Sequence, residues 1–153
     1  MIRAVTVLPE GVLVRPADWL VDQPALASLR RAVFIDEQAV PEAMEWEAQD
    51  PACDWLIAEA DGQGVGCARL TPEGRIGRMA VLPGWRGRGI GAALLDAALA
   101  QARKRGFNRL ALHAQSQAIG FYARVGFQPV GPVFAEAGIP HQAMVLTLTR
   151  DKT

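Results

Sequence analysis

At 153 residues the chain is long enough to bury a core and of a size for one domain, 1–153. Its 16 basic and 16 acidic side chains cancel, so no global field points to nucleic acid or to a membrane surface. The opening MIRAVTVLPEG has no apolar run of signal-peptide length, and nowhere is there a bilayer-spanning run of about 18 apolar residues, the pattern of a cytoplasmic protein.

Val12–Arg15 alternates and stops at Pro16, which predicts a first strand. ALASLRRAVF, from Ala25 to Phe34, places Leu26, Leu29 and Val33 on one helical face. Val40 to Pro51 is acidic and irregular, punctuated by Pro41 and Pro51. DWLIAEA and GVGCARL are strand-like runs turned by Asp61-Gly62-Gln63-Gly64, so Trp55 to Leu70 reads as a hairpin. Pro72-Glu73-Gly74 then leads into a third run, Arg75 to Val81.

A long helix is predicted from Gly89 to Lys104. Ile90, Leu94, Ala97 and Gln101 follow helical spacing, widened by Leu95, Ala98, Leu99 and Ala102. Arg103, Lys104 and Arg105 complement the negative end of its dipole, and Gly106 stops it. Asn108 to Ala114 predicts a short strand, and Gln117 to Val125 a second helix with Ser116 as N-cap and Gly126 as stop. Gln142 to Thr149 predicts a final strand, and this order of elements predicts an α/β domain on a mixed central sheet flanked by helices.

Charge is uneven along the chain. Ala32 to Ala68 holds nine acidic residues and no lysine or arginine, whereas Arg69 to Arg109 holds nine basic residues against Glu73 and Asp96. Two readings stand: solvated faces and helix ends, or a basic half for an anionic ligand beside an acidic half for a cation. Cys53 and Cys67 are too few for a disulfide framework and lack metal-ligand spacing, so no metal site is expected.

Between the third strand and the long helix lies WRGRGIGAALL, Trp85 to Leu95. Glycine in a helix costs roughly 1 kcal/mol relative to alanine, so three at alternate positions call for a reason. A strand, a glycine turn and a helix N-terminus present converging N–H groups to an anion, and Arg86 and Arg88 suit phosphate. A P-loop would need a Gly-Lys pair, which is absent. Gly87-Arg88-Gly89-Ile90-Gly91-Ala92 satisfies a relaxed dinucleotide pattern, but no acid for a ribose occurs between Asp96 and Glu136.

The chain resembles the GNAT superfamily of N-acetyltransferases. Arg86-Gly87-Arg88-Gly89-Ile90-Gly91 is similar to that family's R/Q-x-x-G-x-G/A acetyl-coenzyme A signature, and Ala118-Ile119-Gly120-Phe121-Tyr122-Ala123-Arg124-Val125-Gly126-Phe127 to its A-x-x-F-Y-x-x-x-G-F segment. Arg31 to Gln38, Glu136 to His141, and Ala114-Gln115 resemble the ElaA-like branch. The resemblance implies a single GNAT fold with a splay between the fourth and fifth strands. It also implies an enzyme that transfers the acetyl group of acetyl-CoA to a small-molecule or peptidyl amine. The acidic segment Asp36 to Asp50 makes a cationic acceptor plausible, and a homodimer stays open.

The resemblance further implies that Met79, Ala80 and Val81 run beside the pantetheine arm. Arg86, Gly87, Arg88, Gly89, Ile90 and Gly91 would hold the pyrophosphate. Gln115 stands where many members carry an asparagine. Tyr122, the single tyrosine, would protonate the departing thiolate. Some members use a glutamate as base on the strand before the signature, but Arg75 to Ala80 has no acid. Glu45, Glu47, Asp50, His113 and His141 are the candidates for a base, with His141 favoured because histidine titrates near neutrality. The alternative is a non-catalytic acyl-CoA-binding or interaction domain on the same fold.

Overall fold

The structure, a computed structural model, describes residues 8–148. The chain lays down β1 (Val12–Pro16), α1 (Trp19–Arg30), a π-helical turn (Arg31–Glu37), α2 (Glu42–Glu45), β2 (Asp54–Ala60), β3 (Gln63–Leu70) and β4 (Arg75–Val81). After these come α3 (Ile90–Lys104), β5 (Arg109–Gln115), α4 (Ile119–Ala123), β6 (Gln128–Pro129), β7 (Phe134–Glu136) and β8 (Ile139–Thr147). The sheet order is β1-β2-β3-β4-β5-β8-β6, with β7 paired to β8. Neighbours are antiparallel except β4 and β5, which α3 links as a parallel crossover.

The two faces of the sheet bury two cores. Alternation along β2 sends Leu56 and Ala58 toward α3, where they meet Leu94, Leu95 and Ala98. It sends Trp55 and Ile57 the other way, to Leu26, Leu29 and Val33. In α3 the buried stripe is Ile90, Leu94, Leu95, Ala98, Leu99 and Ala102. The predicted stripe members Ala97 and Gln101 lie at its half-buried rim. Among the described residues no helix is long and apolar enough to cross a membrane.

Several element boundaries differ from the sequence expectation. The first helix starts at Trp19, not Ala25, because Asp18 caps it by accepting the Leu20 N–H, while Pro24 costs only one hydrogen bond near its start. The predicted extension to Phe34 is π-helical from Arg31, with the Gln38 N–H donating to the Val33 carbonyl. The hairpin turn is two residues, Asp61 and Gly62, both at positive φ, so Gln63 already belongs to β3. Ser116 does not cap a helix. Its hydroxyl donates to the Pro140 carbonyl, a short 3-10 turn follows, and α4 spans only Ile119–Ala123. The last strand begins at Ile139, ahead of the predicted Gln142, and Thr149 lies outside the described residues.

The acidic stretch after α1 is fastened by buried ion pairs. Arg30, 1% exposed, donates from Nε to Glu45 and from Nη1 to Asp50, while its guanidinium lies over Trp46 and Trp55. Arg69 reaches Glu47 and Asp50 from β3, and Arg78 reaches Glu45 and Glu47 from β4. Burial outweighs the arginines at Glu45 and lifts its carboxyl above the usual range. At Glu47 burial is outweighed by Arg69 and Arg78, and the carboxyl is held below it. These six charges balance, so the segment is held as a neutral block. Removing one partner leaves a buried charge uncompensated, which costs about 3–5 kcal/mol. Arg30→Met is therefore expected to cost that energy in urea unfolding at constant slope, and adding Glu45→Gln, which leaves Arg69 and Arg78 against Glu47 and Asp50, to recover part of the loss.

Candidate functional site

β4 and β5 pair only at Arg75↔Ala111 and Ile76↔Leu112. Beyond that point they part, while β5 stays zipped to β8 as far as Gln115↔His141. On its other side β4 is bulged: Arg78 and Met79 lie opposite Ala68, between the pairs Arg69↔Gly77 and Cys67↔Ala80. Arg78 sits at φ 47°, a left-handed conformation that costs a side-chain-bearing residue roughly 1–2 kcal/mol. The divergence leaves the carboxyl half of β4 with a backbone edge that β5 does not cover.

The signature loop follows that edge directly. A turn over Pro83–Trp85 leads to Gly87 at φ 76° and Gly89 at φ 84°, and Gly89 is the N-cap of α3. Its first-turn N–H groups have no intrahelical partners and face the positive end of the dipole. The Arg86 guanidinium does not point free: Nε donates to the Val81 carbonyl and the two terminal nitrogens grip Glu37, which holds that carboxyl below its usual range. Arg88 lies over the Trp85 ring at 5.0 Å. The loop therefore offers an anion its amides and Arg88 first.

Where the strands part, a cavity of about 390 Å³ opens on the α1 face. Met79, Gln115, Tyr122, His113, His141 and Glu47 are on its wall. Ala80, Val81 and the loop Arg86 to Gly91 lie outside it, as does Asp50. The Tyr122 hydroxyl donates to the Met79 thioether at 3.3 Å, and burial pushes its pKa up to about 12. Phe121 and Phe127 meet the Tyr122 ring edge-on. Gln115 donates to Gln38 at 2.8 Å and accepts from Gln117 at 2.6 Å.

His141 is 6% exposed, and its Nδ1 is 2.7 Å from the Ile139 carbonyl. A carbonyl only accepts, so Nδ1 carries the hydrogen, and in the neutral ring Nε2 keeps its lone pair. That Nε2 is 3.6 Å from Glu136, whose other oxygen is 3.0 Å from Nδ1 of His113. Arg75 in turn touches the His113 ring. The β7–β8 hairpin, turned by Ala137 and Gly138 at positive φ, brings Glu136 to both histidines.

The acidic half of the chain is not a bare cation receptor. Glu45, Glu47 and Asp50 have arginine partners, and Arg30, Arg69 and Arg78 come from just outside the acidic run. Sequence reasoning passed over those arginines, although nine acids without a basic residue in the same run already required partners from elsewhere. Cys53 and Cys67 are buried, with thiols pushed up to about 11 and about 12, and so stay protonated.

A splayed parallel pair beside a glycine-rich helix start defines an α/β domain built to take an extended, anion-bearing donor. The profile described as "Acetyltransferase (GNAT) domain" matches residues 9–148. YyaT of Bacillus subtilis is 33% identical over 131 residues, covering 82% of this chain and 88% of YyaT. An acyl-CoA N-acyltransferase from Pseudomonas aeruginosa superposes with a TM-score of 0.77 at 32% identity, over 88% of this chain and 97% of that one. Escherichia coli ElaA superposes with a TM-score of 0.79 at 26% identity, over 88% of this chain and 98% of its own. The chain belongs to the GNAT acetyltransferases, a family of acyl-transfer enzymes.

The loop geometry separates its glycines. A Cβ at Gly84 or Gly87 would meet nothing within 4 Å, but Gly87 and Gly89 need positive φ and Gly84 does not. Gly89→Ala is expected to cost roughly 1–2 kcal/mol in denaturant unfolding, whereas Gly84→Ala stays within experimental error of the parent.

Proposed function

We propose that this chain transfers the acetyl group of acetyl-CoA to the primary amine of a small or peptidyl acceptor, in the cytoplasm. The observation that carries the reading is the two-pair β4–β5 contact, which opens an uncovered strand edge between the glycine loop and the Tyr122 hydroxyl. The loop Arg86, Gly87, Arg88, Gly89, Ile90 and Gly91 fits a pyrophosphate at the start of α3 through its amides from Gly87 onward, the Arg86 N–H being taken by the Pro83 carbonyl. Met79, Ala80 and Val81 fit a pantetheine amide chain as an added strand, with Gln115 across the gap. Acetyl-CoA bound there supplies a thioester that an amine attacks directly, so no protein nucleophile is needed.

The protein's part is to orient, polarise and move protons. The bulge interrupts the pairing of β4 with β3 at Arg78–Met79, two residues on the cavity wall, and a backbone N–H of this stretch is the proposed donor to the thioester carbonyl. Tyr122 is a proton donor to the leaving sulfur: its value of about 12 lies above a thiol's roughly 8.5, so it is protonated at working pH. Its resting acceptor, the Met79 sulfur, is weak and releases the O–H readily. His141 presents Nε2 as the base for the incoming ammonium. Glu45, Glu47 and Asp50 are less suited, since guanidinium groups occupy their oxygens.

The test is coenzyme A release against an amine panel, with calorimetric binding of acetyl-CoA alongside. Binding without turnover on any amine would favour the non-catalytic alternative. Tyr122→Phe is expected to lower kcat by about 10²–10⁴-fold, the usual range for a lost acid, with acetyl-CoA affinity little changed. Because the Tyr122 value is raised, its acid form persists as pH climbs. The pH–rate profile should therefore show no falling limb until pH nears about 12. His141→Ala is expected to lower kcat with acetyl-CoA affinity little changed, and an unaltered rate would drop His141 from the mechanism.

A further inference from the structure

The acceptor side of the cavity has three arginines, Arg69, Arg75 and Arg78. Arg69 and Arg78 are tied to Glu45, Glu47 and Asp50. Arg75 has no carboxylate partner among the described residues, and its guanidinium rests on the ring of His113. From there the side chains continue to Glu136 and on to Nε2 of His141. The pairings explain the line: Arg75 is abreast of Ala111 on β5, and Gln115 of His141 on β8, so Arg75, His113 and His141 share one sheet face. One end of this line is a spare cation and the other an imidazole lone pair beside a carboxylate.

Taking the acetyltransferase reading as its basis, we propose that the acceptor is an amine that also carries a carboxylate. Arg75 holds the carboxylate through its planar fork, while the amine lies at the His141–Glu136 end. The donor does not need Arg75. β4 is seven residues long, so Arg75 sits about 20 Å from the strand end where the pyrophosphate loop begins. A phosphate dianion is a poorer match, because among the described residues Arg75 is the one arginine of this wall without a carboxylate partner, and Glu136 stands close behind His113. A purely cationic amine leaves Arg75 unsatisfied and meets acids already matched by arginines.

The experiment measures kcat/KM for straight-chain amino carboxylates of increasing length, from glycine upward, against n-alkylamines of matched length. Aminoalkyl phosphonates form a third arm. An arginine–carboxylate fork is expected to favour the best carboxylate over its alkylamine by about 10- to 100-fold. Arg75→Gln should collapse that ratio toward one, with Arg75→Lys intermediate. Equal rates for the two series, a ratio untouched by Arg75→Gln, or a preference for phosphonates would overturn the inference. Calorimetric titration of the same compounds in the presence of coenzyme A reads Arg75 without turnover. Carboxylate binding lost in Arg75→Gln supports the inference even if no amine is acetylated. Absence of that binding defeats it whatever the rates, so the fate of the acetyltransferase reading is separately visible.

Discussion

The structure depends on one interruption of backbone pairing. Buried or half-buried peptide groups need hydrogen-bond partners, and a parallel strand pair normally supplies them along its length. Here β4 and β5 satisfy each other over two residue pairs and then separate. β8 still pairs with the outer edge of β5 and β3 with the outer edge of β4, but the edges that face each other past Ile76 and Leu112 are uncovered. The β4 edge is what the proposed pantetheine chain would complete. The bulge on the opposite side of the same strand falls at the same place, and it holds Arg78 in a left-handed conformation that is costly for a residue other than glycine.

Arg78 also explains how the acidic segment is tied to the strand. Its guanidinium reaches Glu45 and Glu47, and the network continues through Asp50 to Arg30 and Arg69. Buried ion pairs add little net stability, since desolvation consumes most of the Coulomb gain. What they do here is fix one arrangement. A loop with short elements, α2 and a single 3-10 turn, has too little apolar surface to hold itself, and six charges with few alternative pairings specify its position. The π-helical turn before it delivers Glu37 to Arg86, so the chain leading into the acidic segment and the glycine-rich loop are also bonded to each other.

Much of this was legible in the sequence because it lies in local patterns. The helical period of α3, the hairpin of β2 and β3, and the strand β4 are readable from alternation, turn residues and spacing. The glycine run was legible as a backbone open to close approach, whereas the left-handed turns at Gly87 and Gly89 were not read from the sequence. The α1 start was hidden by Pro24, which reads as a boundary unless the Asp18 cap is weighed against it. β6 and β7, two and three residues long, are too short for any period to emerge. The acidic run was legible as a charge imbalance but not as its resolution, since Arg30, Arg69 and Arg78 meet it only through the fold.

This contrast follows from how the two proposed ligand sites are built. The proposed donor site is made of backbone: consecutive amides, a strand edge and a helix start, all contiguous along β4, the loop and α3. Contiguity is what a motif records, so such a site is written as a short string of residues. The cavity proposed for the acceptor is made of side chains from α2, β4, β5, β7 and β8 that meet only after the sheet closes. No spacing in the chain encodes the distance from Arg75 to His141. It is set by the parallel register of β4 on β5 and the antiparallel register of β5 on β8. A change in either register would move the cation relative to the imidazole while leaving the signature loop intact. A motif written on the loop therefore carries no information about the side chains of β5, β7 and β8 that line the cavity.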